Sequence, residues 1–277
     1  MATYSTRCAS VSCDVAAGRL ARPRTWSLAC FPFLTIEPMK KQNLLRRLLQ
    51  AAIRQAKGIE IRIDPEIRNS ELVMLALRQA TALLRGLVIW RGPVYLEPGV
   101  ILRQRSRIRI GRFSKIGTGT LIEGLSRDGI EIGAGVSLGR YGRMSATGSL
   151  AELGRGVRLE DYVGIGDFFY LGAYGGIRID TETIVGPHLY VHSDNHDFDD
   201  PAISIRRQSV TEEPVRIGAR CWLGSNVTIL GGVEIGDDCV VGAGAVVTKS
   251  FPAGSVIVGN PARVIGTRPV PCEGNRE

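Results

Sequence analysis

Apolar residues recur along most of this chain at intervals of six, usually followed by glycine or an acidic residue. Ile110-Gly111, Ile116-Gly117 and Ile122-Glu123 form one run, and Ile132-Gly133, Leu138-Gly139 and Met144 a second. The longest is Leu153-Gly154, Leu159-Glu160, Ile165-Gly166, Leu171-Gly172 and Ile177, continued by Val185-Gly186 and Val191. After an interruption from Asp194 to Pro214, the period resumes at Ile217-Gly218, Leu223-Gly224, Ile229, Ile235-Gly236, Val241-Gly242 and Val247. A helix needs a period near 3.6 and an open sheet a period of 2, so neither accounts for sixes. A coil of three short flat strands does. Each sixth residue points into a narrow prism, and three hexads, about 18 residues, close one turn that buries its apolar face against its neighbours.

A different pattern precedes the repeats. Leu44, Leu45, Leu48, Leu49, Ala52 and Ile53 form an apolar stripe beside Arg46, Arg47, Arg54 and Lys57, which predicts an amphipathic helix. A second helix is expected from Pro65 to about Gly86, with proline at its start and glycine near its end. Together they are expected to cap the open end of the prism, the alternative being a basic membrane-surface contact. The Leu72 to Trp90 stretch is interrupted by Arg78 and Arg85 and bounded by Arg91, so no uninterrupted apolar run reaches spanning length.

Composition adjusts this picture in three places. The 34 glycines come with only 13 prolines and no collagen-like period, in keeping with a repeat that turns tight corners. The net charge of +8 is concentrated at one end: residues 1–91 hold 15 Lys/Arg against 6 Asp/Glu, and the remainder is close to neutral. That distribution, with no RNA- or DNA-binding motif, argues against a nucleic-acid partner. The six cysteines (8, 13, 30, 221, 239 and 272) form no CxxC pair and have no zinc-like spacing, as expected of free thiols in a cytoplasmic protein. The expected organisation is an N-terminal extension or misassigned start at 1–38, a helical region at 39–91, the prism at 92–266 with a protruding loop at 194–214, and a tail at 267–277.

All three histidines, His188, His192 and His196, fall where the hexads break off. A neutral imidazole is the side chain best suited to taking a proton at pH 7. No Gly-x-Ser-x-Gly elbow offers a nucleophile for an acyl-enzyme, so direct transfer is the simpler chemistry. The spacings of four and four place the histidines on different faces of a six-residue coil, which disfavours a shared zinc ion.

The repeats, the His192-Ser-Asp-Asn-His196-Asp-Phe-Asp-Asp-Pro201 segment and the C-terminal run together resemble the hexapeptide-repeat acyltransferase family, and within it the sugar O-acetyltransferases. That run includes Cys221-Trp-Leu-Gly-Ser225-Asn226, Val241-Gly-Ala243-Gly-Ala-Val-Val-Thr248-Lys249 and Val258-Gly-Asn-Pro-Ala-Arg263. The resemblance covers roughly residues 92–266. It implies a mainly β fold, a left-handed parallel β-helix of six to seven coils with an N-terminal α-helical cap, assembled as a homotrimer. It further implies transfer of an acetyl group from acetyl-CoA to a sugar hydroxyl, in surface polysaccharide or lipopolysaccharide assembly.

By the same resemblance His196 is the catalytic base, with Asp194, Asp197 or a backbone carbonyl orienting it. Ser225 and Ala243 would line the pantetheine groove between two prisms, and Thr248, Lys249 and Arg263 would lie toward the nucleotide phosphates. Transfer to serine, an antibiotic or a nucleotide-sugar amine remains an alternative, as does a noncatalytic or zinc-binding prism like the gamma-class carbonic anhydrases. The bulky corner Asp167-Phe168-Phe169-Tyr170 is expected to serve as an acceptor platform or a subunit contact.

Overall fold

The computed structural model describes residues 44–57, 59–146 and 152–268. The expectations for 1–38 and for most of the tail lie outside them. From Val94 onward the chain winds through three parallel sheets in turn. The first sheet runs from Tyr95–Leu96 to Arg263–Thr267, the second from Ile101–Arg103 to Val246–Val247, and the third from Ile108–Ile110 to Glu234–Ile235. They contain nine, seven and six strands, and the last strand of the first sheet runs antiparallel. This is a left-handed parallel β-helix of the expected number of coils.

The hexad residues form its interior. Ile116, Ile122, Leu138, Met144, Leu171, Val191, Leu223, Ile229 and Val247 are each at most 1% exposed. The register explains why they stack: Leu171 is paired with Met144 on one side and Val191 on the other. A buried aliphatic side chain of this size contributes roughly 1.5–3 kcal/mol, so the long column offsets the ordering of many two- and three-residue strands. Leu153 departs from the pattern. It lies ahead of the Gly156–Leu159 strand and is half-buried, because its coil is one that bulges outward.

The coils are not uniformly 18 residues. Register partners along the second sheet are 20, 22, 27, 20, 38 and 18 residues apart in order. Passing from the first sheet to the second takes six residues in every coil, as Lys115 to Leu121 and Gly164 to Tyr170 illustrate, and passing from the third to the first does the same. All the extra residues therefore fall on one edge of the prism, between the second and third sheets. The expected loop at 194–214 is the largest of these insertions. It contains a β-hairpin in which Asp194–His196 pairs antiparallel with Val210–Glu212.

The first helix, α1, spans Leu44–Lys57, and the second, α2, spans Asn69–Arg85, four residues later than Pro65. The delay has a local cause: the Asp64 carboxylate accepts the Glu66 N–H at 2.8 Å and fixes a turn around Pro65. The α2 start is instead marked by Glu71, whose carboxylate accepts the Arg68 N–H at 2.8 Å. Its far end continues beyond Gly86 as a π-helical turn to Trp90, stopped by Arg91 in the left-handed conformation at φ 62°. Gly86 is required there, since a Cβ would lie 1.7 Å from the Val94 carbonyl oxygen. Leu72 and Ala82 are buried, and Arg78 reaches the 3%-exposed Glu97 at 3.1 Å. Cys221 and Cys239 are buried free thiols; the other four cysteines lie outside the described residues.

Candidate active site

The hairpin is rooted by Ser193. Its buried hydroxyl donates to the Gly172 carbonyl at 2.9 Å and accepts the Gly175 N–H at 3.0 Å. Two insertions from lower coils hold the outer strand, Arg127 and Arg155 meeting the Glu212 carboxylate at 2.7 and 2.8 Å. These cations hold Glu212 below the usual carboxylate range, with the Arg155 hydrogen bond the largest cause.

Between the hairpin and the second sheet lies a cavity of about 520 Å³. Arg143, Ser145, Tyr170 and Gly172 lie on its second-sheet side, Glu152 and Tyr174 come from neighbouring insertions, and Asp194, His196 and Gln208 come from the hairpin. The Tyr174 hydroxyl donates to Glu152 at 2.6 Å, while Arg143 pairs with Glu123 at 2.8 Å. The cavity thus offers donors, acceptors and an aromatic ring around one imidazole, a lining suited to a small polyhydroxyl ligand.

Alternation along the strand separates the residues singled out in the sequence. Asp194 and His196, two apart, both line the cavity. Asp197 lies one step further on, and its Oδ1 accepts the Thr211 hydroxyl at 2.8 Å. His192 packs against Tyr170 in a tilted arrangement, with ring centroids 5.5 Å apart and planes at 42°, and His188 occupies a coil corner at φ 62°. Among the described residues no group of three or more His, Cys, Asp or Glu side chains is arranged as a metal site.

The aromatic corner divides three ways. Phe168 stacks between Tyr141, at 5.6 Å, and His188, at 5.2 Å, along the edge joining the first and second sheets. Phe169 is 2% exposed and enters the core, where Gly142 leaves room for its ring. Tyr170 faces the His196 cavity. Of the cavity's other polar residues, Glu152, Tyr174 and Gln208 carried no sequence signal because each sits in an insertion of irregular length, and Arg143 carried none because the hexad rule leaves outward strand positions free.

The residues expected to hold the cosubstrate do not gather in this cavity. Ser225 and Ala243 sit one coil apart on the first–second edge, where the Gly244 N–H donates to the Ser225 carbonyl at 2.9 Å. Thr248 and Lys249 follow the last strand of the second sheet, with the Lys249 Nζ 5.8 Å from the Phe251 ring centroid. Arg263 lies on the closing strand, opposite Val258. All five are exposed. A larger cleft of about 740 Å³ borders the third sheet, but its lining contains no histidine. Its Arg158, Arg178 and Arg216 are engaged with Glu131, Glu160, Asp180 and Glu234, so a solvated ion-pair ladder accounts for it.

A triangular prism built on sixes, with its irregular chain gathered on one edge around a histidine, is a hexapeptide-repeat architecture. Residues 214–249 match the model described as the hexapeptide repeat of succinyl-transferase. A provisionally named acetyltransferase of Mycobacterium tuberculosis is 30% identical over 67% of this chain and 54% of its own length. In Escherichia coli, WbbJ carries the provisional name of a lipopolysaccharide biosynthesis O-acetyl transferase, at 34% identity over 42% of this chain and 63% of its own length. WcaF, provisionally named a colanic acid biosynthesis acetyltransferase, is 37% identical over 40% and 58%. The chain thus spans a little over half the length of the curated relatives it matches. Among solved structures, the N-acyltransferase AntD of Bacillus cereus aligns at a TM-score of 0.41 and 20% identity, over 64% of this chain and 80% of that one, a likeness too partial to argue from. The chain belongs to the hexapeptide-repeat acyltransferase family.

Proposed function

We propose that this protein is an acetyl-CoA-dependent O-acetyltransferase whose acceptor is a sugar hydroxyl, with His196 as general base. The observation that carries the reading is the cavity itself: His196 and Asp194 share one wall of a polar pocket with an aromatic ring, on the edge that receives every insertion. The provisional names of WbbJ and WcaF support a saccharide acceptor of the kind built into surface polysaccharides.

In the proposed reaction a ring nitrogen of His196 takes the proton of the acceptor hydroxyl as its oxygen attacks the thioester carbonyl. Collapse of the tetrahedral intermediate breaks the carbon–sulfur bond. The imidazolium returns its proton to the departing thiolate, leaving an ester and free CoA, with no acyl-enzyme needed. Asp194, on the same wall, orients the ring and stabilises its charged form. Tyr170 offers the apolar face on which a sugar ring packs, and the Glu152–Tyr174 pair and Arg143 are the polar groups that would read its hydroxyls.

Ser225, Ala243 and Arg263 lie toward one edge of the second sheet and His196 on the other, so the cosubstrate strip of one copy is proposed to face the histidine of a second copy in a trimer. Lys249 and Arg263 suit the phosphates of the nucleotide end. His196→Ala is expected to lower turnover by about two orders of magnitude or more while acetyl-CoA binding, followed by calorimetry, survives. Unchanged turnover would remove the assignment. Thiol release measured against hydroxyl and amino sugars separates O-transfer from N-transfer.

A further inference from the structure

The outer surface of α2 has no role in the proposed chemistry and no covering among the described residues. Leu72, Ala82 and Gly86 bury one side of the helix against the first coil. On the side facing away, Val73, Met74, Leu77, Leu84, Leu87 and Val88 recur at helical spacing and are between 43% and 71% exposed. On α1, Leu44 at 69% and Leu48 at 60% add a second exposed apolar row. A soluble monomer rarely leaves so long a contiguous stripe in water.

Charge identifies what covers it. Residues 44–91 hold nine Arg/Lys against four Asp/Glu, whereas the chain from 92 onward is balanced, 20 against 21. Apolar stripe and excess cations therefore belong to the same part of the molecule. A second copy docked on this face would oppose like charges. A bilayer surface carrying anionic headgroups matches both features at once.

By length and composition Asn69–Trp90 would suffice to cross a membrane. Its attachments point instead to a helix lying flat. Arg78 is tied to Glu97 at 3.1 Å, Arg85 donates to the Leu96 carbonyl at 3.3 Å, and the Gly86 backbone is pressed against Val94. Withdrawing α2 into a bilayer would break each of these and bare Glu97. We infer that the outer face of α2, with α1, is a docking surface for the interfacial layer of an anionic membrane, on which the prism sits as a peripheral protein.

The test is flotation of the full chain with vesicles of phosphatidylcholine alone or of phosphatidylcholine with phosphatidylglycerol. The wild-type chain should float with the anionic vesicles, less so as salt is raised, and weakly with neutral ones. A triple variant, Leu77→Glu, Leu84→Glu and Val88→Glu, should lose about tenfold or more of that partition, several apolar contacts being replaced by charges that repel the headgroups. All three side chains point away from the prism, so the variant should melt like the wild type, and Leu77→Gln with Leu84→Gln provides a milder check of folding. Three outcomes overturn the inference: no flotation of the wild type, flotation of the triple variant equal to the wild type, or self-association through this face that the variant abolishes in the absence of lipid.

Discussion

At the scale of single residues, the strand carrying His196 separates two aspartates that the sequence left equivalent. Asp194 shares the cavity wall with the imidazole, whereas the Asp197 carboxylate holds the Thr211 hydroxyl within the hairpin. An orienting carboxylate matters most when the ring is charged, as it is after taking the acceptor's proton. Asp194→Asn is therefore expected to lower kcat by about tenfold or more with little change in KM. Asp197→Asn keeps an acceptor for Thr211 and should remain close to wild type. Steady-state kinetics on the two variants decides between them, and equal losses would place the orienting role elsewhere, a backbone carbonyl included.

At the scale of elements, the way α2 is fastened gives the protein a defined acid sensitivity. Burial alone would raise the Glu97 pKa, but Lys115 at 2.9 Å, the Thr118 hydroxyl and Arg78 overcome it and hold the carboxyl at about 2, against an ordinary 4.5. A folded-state pKa below the unfolded one means that this stabilisation is complete above about pH 4.5 and is lost as the pH falls toward 2. Glu97→Gln should cost roughly 2 kcal/mol near neutrality, a figure discounted because Arg78 and Lys115 remain partly in water, and should flatten the fall in melting temperature between those pH values. Hydrogen exchange should show the loss first in α2.

The element scale also shows what could be read in advance. Ile116, Leu138 and Ile165 announced their strands because each hexad sends a large aliphatic side chain inward at a fixed position, beside a buried and more variable one two residues earlier (Ser114, Val136, Val163), which leaves a strict period in the sequence. The second–third edge obeys no such rule. Its insertions vary from none to twenty residues, so the break after Val191 was legible while Glu152, Tyr174 and Gln208 were not. Pro65 misled for a related reason: proline favours the first turn of a helix and a tight turn equally, and the Asp64 carboxylate decided for the turn.

At the scale of the whole molecule, the constant and variable edges of the prism suggest how the work is divided. The first–second edge never departs from six residues per passage, so a flat run of backbone amides, with Ser225 and Ala243 in successive coils, is preserved along it. The second–third edge is free to vary because its insertions project outward and leave the inward column undisturbed. If a complete site forms only where the variable edge of one copy meets the constant edge of the next, the two halves can be damaged in different chains. His196→Ala should be inactive, and so should Ala243→Trp, which would fill the narrow strip with an indole. Refolded together in equal amounts, they should recover about a quarter of wild-type turnover, since in a cyclic assembly one interface in four then joins an intact histidine to an intact strip. Turnover that stays at the level of the parents would mean that each chain binds both substrates alone, and the proposed sharing of the site would have to be abandoned.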